Sequence, residues 1–139
     1  MSTDAHTKIL GLDIGAVRIG VAIATSGVNI ASPLMTIDNS DEVIDKIRKL
    51  IEDNHVDIVV VGLPRGLEGQ TTAQTEYVLE FIDRLTAAGL NIRSQDEALT
   101  SVKAEDELKA RRKRYNKEDV DALAATYILE DYLNEQVRG

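Results

Sequence analysis

The chain has no cysteine and no tryptophan, one phenylalanine, and only two histidines, His6 and His55. Without cysteine there is no disulfide framework, no thiolate metal centre and no thiol nucleophile. The histidines have no partner at ligand spacing, so neither serves as a metal ligand or a catalytic base, and no Ser–His constellation stands out. With four tyrosines and one phenylalanine as its aromatics, the core must be built from Ile, Val, Leu and Ala. The opening "MSTDAHTK" is polar and leads into a short apolar run, the pattern of neither a signal peptide nor a membrane span. A reducing cytoplasm suits this composition.

What is present is ordinary for a globular protein: 139 residues, 43% hydrophobic and 29% charged. That length predicts one domain, 1–139, with a real hydrophobic core. The net charge of −8 argues against non-specific nucleic-acid binding over the whole surface. The distribution is uneven, however. "KARRKRYNK", from Lys109 to Lys117, carries six basic residues and no acidic one.

The periodicity predicts the order βββ-α-β-α-β-α-α. "KILGLDIG" and "RIGVAIAT" read as strands joined by a tight turn at Gly15–Val17. "NIASPLMTI" is a weaker third strand, and Pro33 places it at an edge or a bulge. From 40 to 53, Val43, Ile44, Ile47, Leu50 and Ile51 recur at helical spacing, with Ser40 or Asp41 as N-cap and Asn54 at the end. "VDIVVVGLP" is a buried β-branched strand stopping at Pro64. A second helix covers 71–88, with Thr71 and Thr72 as caps and Gly89 as its stop. "LNIRSQDE" is a fifth strand, and helices over 100–114 and 117–137 complete the chain. Short connections make the first three strands antiparallel, and alternating helices make the later ones parallel. The expectation is an α/β fold with a mixed five-stranded sheet and helices on both faces.

Three acids interrupt this apolar pattern. Asp13 lies inside a strand that is otherwise buried, on the same face as Ile9 and Gly11. Asp96 and Glu97 end the fifth strand, where open sheets place functional groups. Asp121 sits within about 60° of Ala124, Ala125, Ile128 and Tyr132 on an ideal helix, so it shares their buried stripe, while Asp119 faces solvent. Each has an ordinary alternative: Asp13 could pair with Arg18, Asp121 with Lys117, and Asp96 could cap the next helix. Together they suggest carboxylates gathered in one place, which is unfavourable unless a cation joins them. Mg²⁺ or Mn²⁺ suits such a ligand set.

These segments resemble the YqgF/RuvX family of RNase H-like nucleases, described as resolvases of Holliday junctions and as nucleases maturing the 5′ end of pre-16S ribosomal RNA. "GLDIGAVRIGVAIA" is similar to its opening strand–turn–strand, "VVVGLP" to its central strand, "DEALTS" to its acidic segment and "DVDALAATYILEDYL" to its last helix. The resemblance implies an RNase H-like fold and a two-metal phosphodiester hydrolysis with Asp13, Glu97 and Asp121 as catalytic and metal-binding acids, Asp96 in reserve. The sequence departs from the family at Ala98, where Arg is usual, and in the loop "PRGLEG".

Arg18, Arg65, Arg111, Arg112, Arg114 and Lys117 are the candidates for phosphate contacts, which position nucleic acid without reading its sequence. Arg18 could instead neutralise Asp13. The implied partner is nucleic acid, either structured RNA or branched DNA. RNA trimming needs only a monomer, whereas junction cutting needs two active sites and so a homodimer. Two further readings remain open: a silent nucleic-acid-binding module of the same fold, suggested by Ala98 and the acidity, and an actin-like phosphate-binding hairpin in "LDIGAVRIG". The latter requires two such domains, and the chain has room for one.

Overall fold

The computed structural model of the chain describes residues 7–27, 30–66, 68–97 and 117–138, with side chains except at 117–119 and 136–138. The elements are β1 (Lys8–Ile14), β2 (Arg18–Thr25), β3 (Ile30–Asp38), α1 (Val43–Asn54), β4 (Ile58–Pro64), α2 (Ala73–Ala87), β5 (Ile92–Glu97) and α3 (Lys117–Arg138). The five strands form one sheet in the order β3-β2-β1-β4-β5. β1–β2 and β2–β3 are antiparallel, and β1–β4 and β4–β5 are parallel. This is the expected architecture. The helix expected over 100–114, the basic residues Lys109 to Arg114 and Ala98 lie outside the described residues, as do the side chains of Asp119 and Lys117.

Alternation along the strands divides the core into two layers. Leu10, Leu12, Ile14, Ile19, Val21, Val59, Val61 and Leu63 face α1 and α2, meeting Val43, Ile47, Val78, Phe81 and Leu85. Each large side chain buried there contributes about 1.5–3 kcal/mol. The opposite face is paved with smaller residues, Ala22, Ala24 and Val60 with Ile9, against Ala125, Ile128, Leu129, Tyr132 and Leu133 of α3. α3 therefore lies close to the sheet and touches all five strands. Among the described residues no helix is long and apolar enough to cross a membrane.

Pro33 is both at an edge and at a bulge, since β3 is an outer strand and its register with β2 shifts between Val21 and Ala22. The α1 N-cap differs from expectation. Glu42 occupies it without a side-chain capping bond, and Ser40 Oγ donates to the Glu42 carboxylate instead. Asn54 ends the helix as expected, its Nδ2 donating to the Leu50 carbonyl at 2.9 Å, and His55 follows as C-cap in the left-handed region, at φ 55°.

At α2 the cap is Thr72, in a reciprocal box with Thr75. Thr75 Oγ1 also donates to the Pro64 carbonyl at the end of β4, tying the helix start to the strand. Thr71 does not cap; its hydroxyl accepts from Arg65 Nη1 at 2.9 Å. Thr72→Ala is expected to lower stability by about 1 kcal/mol, read as a shifted urea midpoint with unchanged slope.

Candidate nucleic-acid processing site

The register brings the first and last described elements together at one end of the sheet. Asp13 on β1 is directly opposite Gly20 on β2. A Cβ at Gly20 would overlap the backbone carbonyl of Asp121. The absent side chain is thus what lets α3 settle onto β2 beside Asp13. Gly11 and Gly62 serve the same layer more softly, because what faces them are the side chains of Leu129 and Ile128 rather than backbone.

Burial, and second the Asp121 carboxylate, push the Asp13 carboxyl up to about 7. Both causes act against the charged form: hydration is reduced, and a like charge is nearby. Asp121 itself is held by Arg18, whose Nε donates to Asp121 Oδ2 at 3.2 Å. Both side chains are about a quarter exposed, at 27% and 25%. Arg18 therefore neutralises Asp121 across 103 residues of chain, not Asp13, its neighbour in sequence. It starts β2 on the face that also carries Gly20, which is the α3 side.

β5 resolves the Asp96–Glu97 pair by alternation. Gln95 is buried, and its amide donates to Glu135 of α3 at 2.7 Å, so Gln95 and Glu97 share the α3 side of the sheet. Asp96 projects from the other face, 68% exposed, where Arg65 Nε meets it at 3.3 Å. The reserve acid is thus turned away from Asp13. Glu97 is two strands from β1, with backbones roughly 10 Å apart across the sheet. Among the described residues no three acidic or histidine side chains gather into one ligand group. The close acidic pair is Asp13 with Asp121, and Glu97 stands at the rim on the same side.

This donor set fits a hard divalent cation. Its atoms are carboxylate oxygens, without sulfur or imidazole, and one carboxyl is desolvated beside a second, so a cation would relieve both penalties. Arg65, expected at a phosphate, is engaged with Asp96 and Thr71 on the β4–α2 loop.

Two roles were not expected from the sequence. Gly20 spaces α3 from the sheet, and its signal was available as a glycine inside a strand. Asn39 braces the β1–β2 turn: its Nδ2 donates to the Gly15 carbonyl at 2.8 Å and to the Tyr77 hydroxyl at 2.9 Å, and its N–H to Val17. Gln74 Nε2 adds a bond to the Ile14 carbonyl at 3.3 Å. No pattern in the sequence announced Asn39.

A sheet of this order, with one helix across it and an acid on the first strand facing an acid on the last helix, defines an RNase H-like fold of the resolvase type. Solved structures similar in fold include RuvC of T. thermophilus in complex with a Holliday junction substrate. It has a TM-score of 0.58 at 15% identity and covers 96% of this chain and 97% of that one. The fowlpox virus resolvase in complex with Holliday junction DNA gives 0.54 at 13% identity, covering 94% and 99%. The family described as "RuvX: Holliday junction resolvase" matches residues 7–135, and the chain belongs to it. Relatives named "Putative pre-16S rRNA nuclease" include one from Sulfurihydrogenibium sp. (strain YO3AOP1), 39% identical over 92% of this chain and 90% of its own. Another, from Crocosphaera subtropica, is 42% identical over 91% and 92%.

Proposed function

We propose that this protein is a divalent-metal-dependent endonuclease that processes the 5′ end of pre-16S ribosomal RNA. The observation that carries the reading is the meeting of Asp13 and Asp121 beside Gly20 on the α3 side of the sheet. Relatives at about 40% identity over nine-tenths of both chains support the substrate.

Asp13 and Asp121 would hold Mg²⁺ or Mn²⁺, with Glu97 contributing from the rim of β5. A pair of such ions, when bound, supplies the charge that acidifies an attacking water and stabilises the departing 3′ oxygen. The chain's own share is orientation. The β1–β2 turn, pinned by Asn39 and Gln74, fixes the end of β1 and the start of β2. Gly20 fixes the height of Asp121 above the sheet. Partial burial leaves Asp13 poorly solvated, which strengthens its hold on a cation. No protein nucleophile is required. Arg18 is the cation beside the acidic pair that could reach a phosphate backbone, the basic run from Lys109 to Lys117 is the sequence's further candidate, and Arg65 is instead committed to Asp96 and Thr71. A ribosomal precursor as substrate implies a cytoplasmic site of action.

A four-way DNA junction is the second reading, favoured by the family's description. The test incubates the purified full chain with a 5′-extended pre-16S fragment and, separately, with a four-way junction, in Mg²⁺, Mn²⁺ or chelator. The expected result is metal-dependent internal cleavage of the RNA. Symmetrical cutting of the junction alone would favour resolution, and binding without cleavage in every buffer would overturn the nuclease reading.

The two faces of β5 give a sharper expectation. Glu97→Gln is expected to slow cleavage on the order of a hundredfold, about 3 kcal/mol of barrier, whereas Asp96→Asn is expected to stay within about threefold of wild type. Single-turnover rates at saturating metal check this. Equal losses in the two variants would remove Glu97 from the site.

A further inference from the structure

We propose that Arg18 is the resident counter-cation of the acidic pair: it holds Asp121 in the metal-free protein and competes with the divalent ion for that carboxylate. The inference rests on the metal-dependent reading above and adds a role for Arg18 within it.

The geometry carries it. Arg18 leaves β2 on the side that bears Gly20, under the start of α3, and its Nε–H is directed at Asp121 Oδ2 at 3.2 Å. The pair is mostly out of water, at 27% and 25% exposure. In the wild-type fold Asp121 is therefore already matched with a fixed positive charge. A hard ion must contact carboxylate oxygen directly. Its charge and the guanidinium would then lie within a few ångströms of each other in a poorly solvated place, where like charges repel most. Either cation on Asp121 weakens the hold of the other, and that coupling is reciprocal.

Two consequences follow for the molecule. Without metal, Arg18 keeps Asp121 positioned and prevents two neighbouring carboxylates from facing each other uncompensated. With metal, Arg18 loses its partner while still on the same face, and its guanidinium becomes available to an incoming phosphate. That fork suits a phosphate better than a lysine ammonium does.

The test is a Mn²⁺ titration of the full chain, without nucleic acid, followed by the electron paramagnetic resonance signal of the free ion. Arg18→Met keeps an apolar stem of similar reach and removes the charge. It is expected to bind Mn²⁺ about tenfold more tightly than wild type, and Arg18→Gln to shift in the same direction. Arg18→Lys is expected to remain within about twofold of wild type. Circular dichroism establishes that each variant is folded. In ¹⁵N spectra the Arg18 Nε–H resonance, identified by its loss in Arg18→Met, is expected to move on Mg²⁺ addition. Unchanged or weaker Mn²⁺ binding in both neutral variants overturns the competition and leaves the nuclease reading standing. Wild-type protein that takes up no Mn²⁺, or whose binding is indifferent to Asp121→Asn, overturns both.

Discussion

Asp13→Asn is expected to abolish cleavage and, in the absence of metal, to make the protein more stable at pH 8. Loss of a ligand at the reacting phosphate should cost on the order of a thousandfold in rate, about 4 kcal/mol of barrier. The stability gain has a separate cause. Burial and the Asp121 charge raise the Asp13 carboxyl from 3.8 to about 7. In the folded protein Asp13 therefore keeps its proton at pH values where the unfolded chain has released it. The native state binds more protons than the unfolded state between about pH 4 and pH 7, so Asp13's contribution to stability is complete below that window. It falls as pH rises through it. An amide at this position does not titrate. The variant should match wild type near pH 4 and exceed it by about 2 kcal/mol at pH 8, allowing for the solvent that reaches this partly exposed residue. Urea unfolding in chelator at pH 4.5, 6 and 8 reads the difference, and a gap that does not widen with pH would sink the argument. With Mg²⁺ present the order should reverse, since only wild type gains from binding the ion.

Gly20→Ala is expected to be the most damaging single-methyl change in the molecule. The atom it would strike belongs to the Asp121 carbonyl, and backbone cannot rotate aside as a side chain can. α3 must lift at its first turns, or β2 must sink into a layer where Ile19 and Val21 are fully buried. Overpacking of this kind costs about 3 kcal/mol. Cleavage should fall further than the folded fraction does, because Asp121 moves with the helix. Gly11→Ala is the matched control. Its new methyl meets the Leu129 side chain, so it should cost less stability and leave the acids in place. Urea midpoints and single-turnover rates on the two variants separate these outcomes. Similar damage from both would mean that close packing in general, not the Asp13–Gly20–Asp121 stack, is what matters.

The architecture was readable because the strands announce themselves. "VDIVVVGLP" and "KILGLDIG" are too apolar for a half-exposed strand, and short connections forced the antiparallel start. The proximity of Asp13 and Asp121 was readable for the opposite reason, as charged residues on stripes whose neighbours are buried. Ion-pair choice was not readable. Arg18 is five residues from Asp13 in sequence, yet it bonds Asp121, because strand alternation and the docking of α3 decide which groups meet. N-capping at α1 failed for a similar reason. Ser40 was free to bond Glu42, and the cap fell to a residue with no capping side chain. Which of Asp96 and Glu97 shares the α3 side of the sheet was a question of register by one residue, which spacing alone cannot answer and the Gln95–Glu135 bond does.

Asp13 belongs to the first strand and Asp121 to the helix that comes last. All five strands precede α3 in the chain. The acidic pair therefore exists only once the last helix has been made and has covered Ile9, Ala22 and Val60, and a chain ending before Lys117 is expected to lack the pair and that cover together.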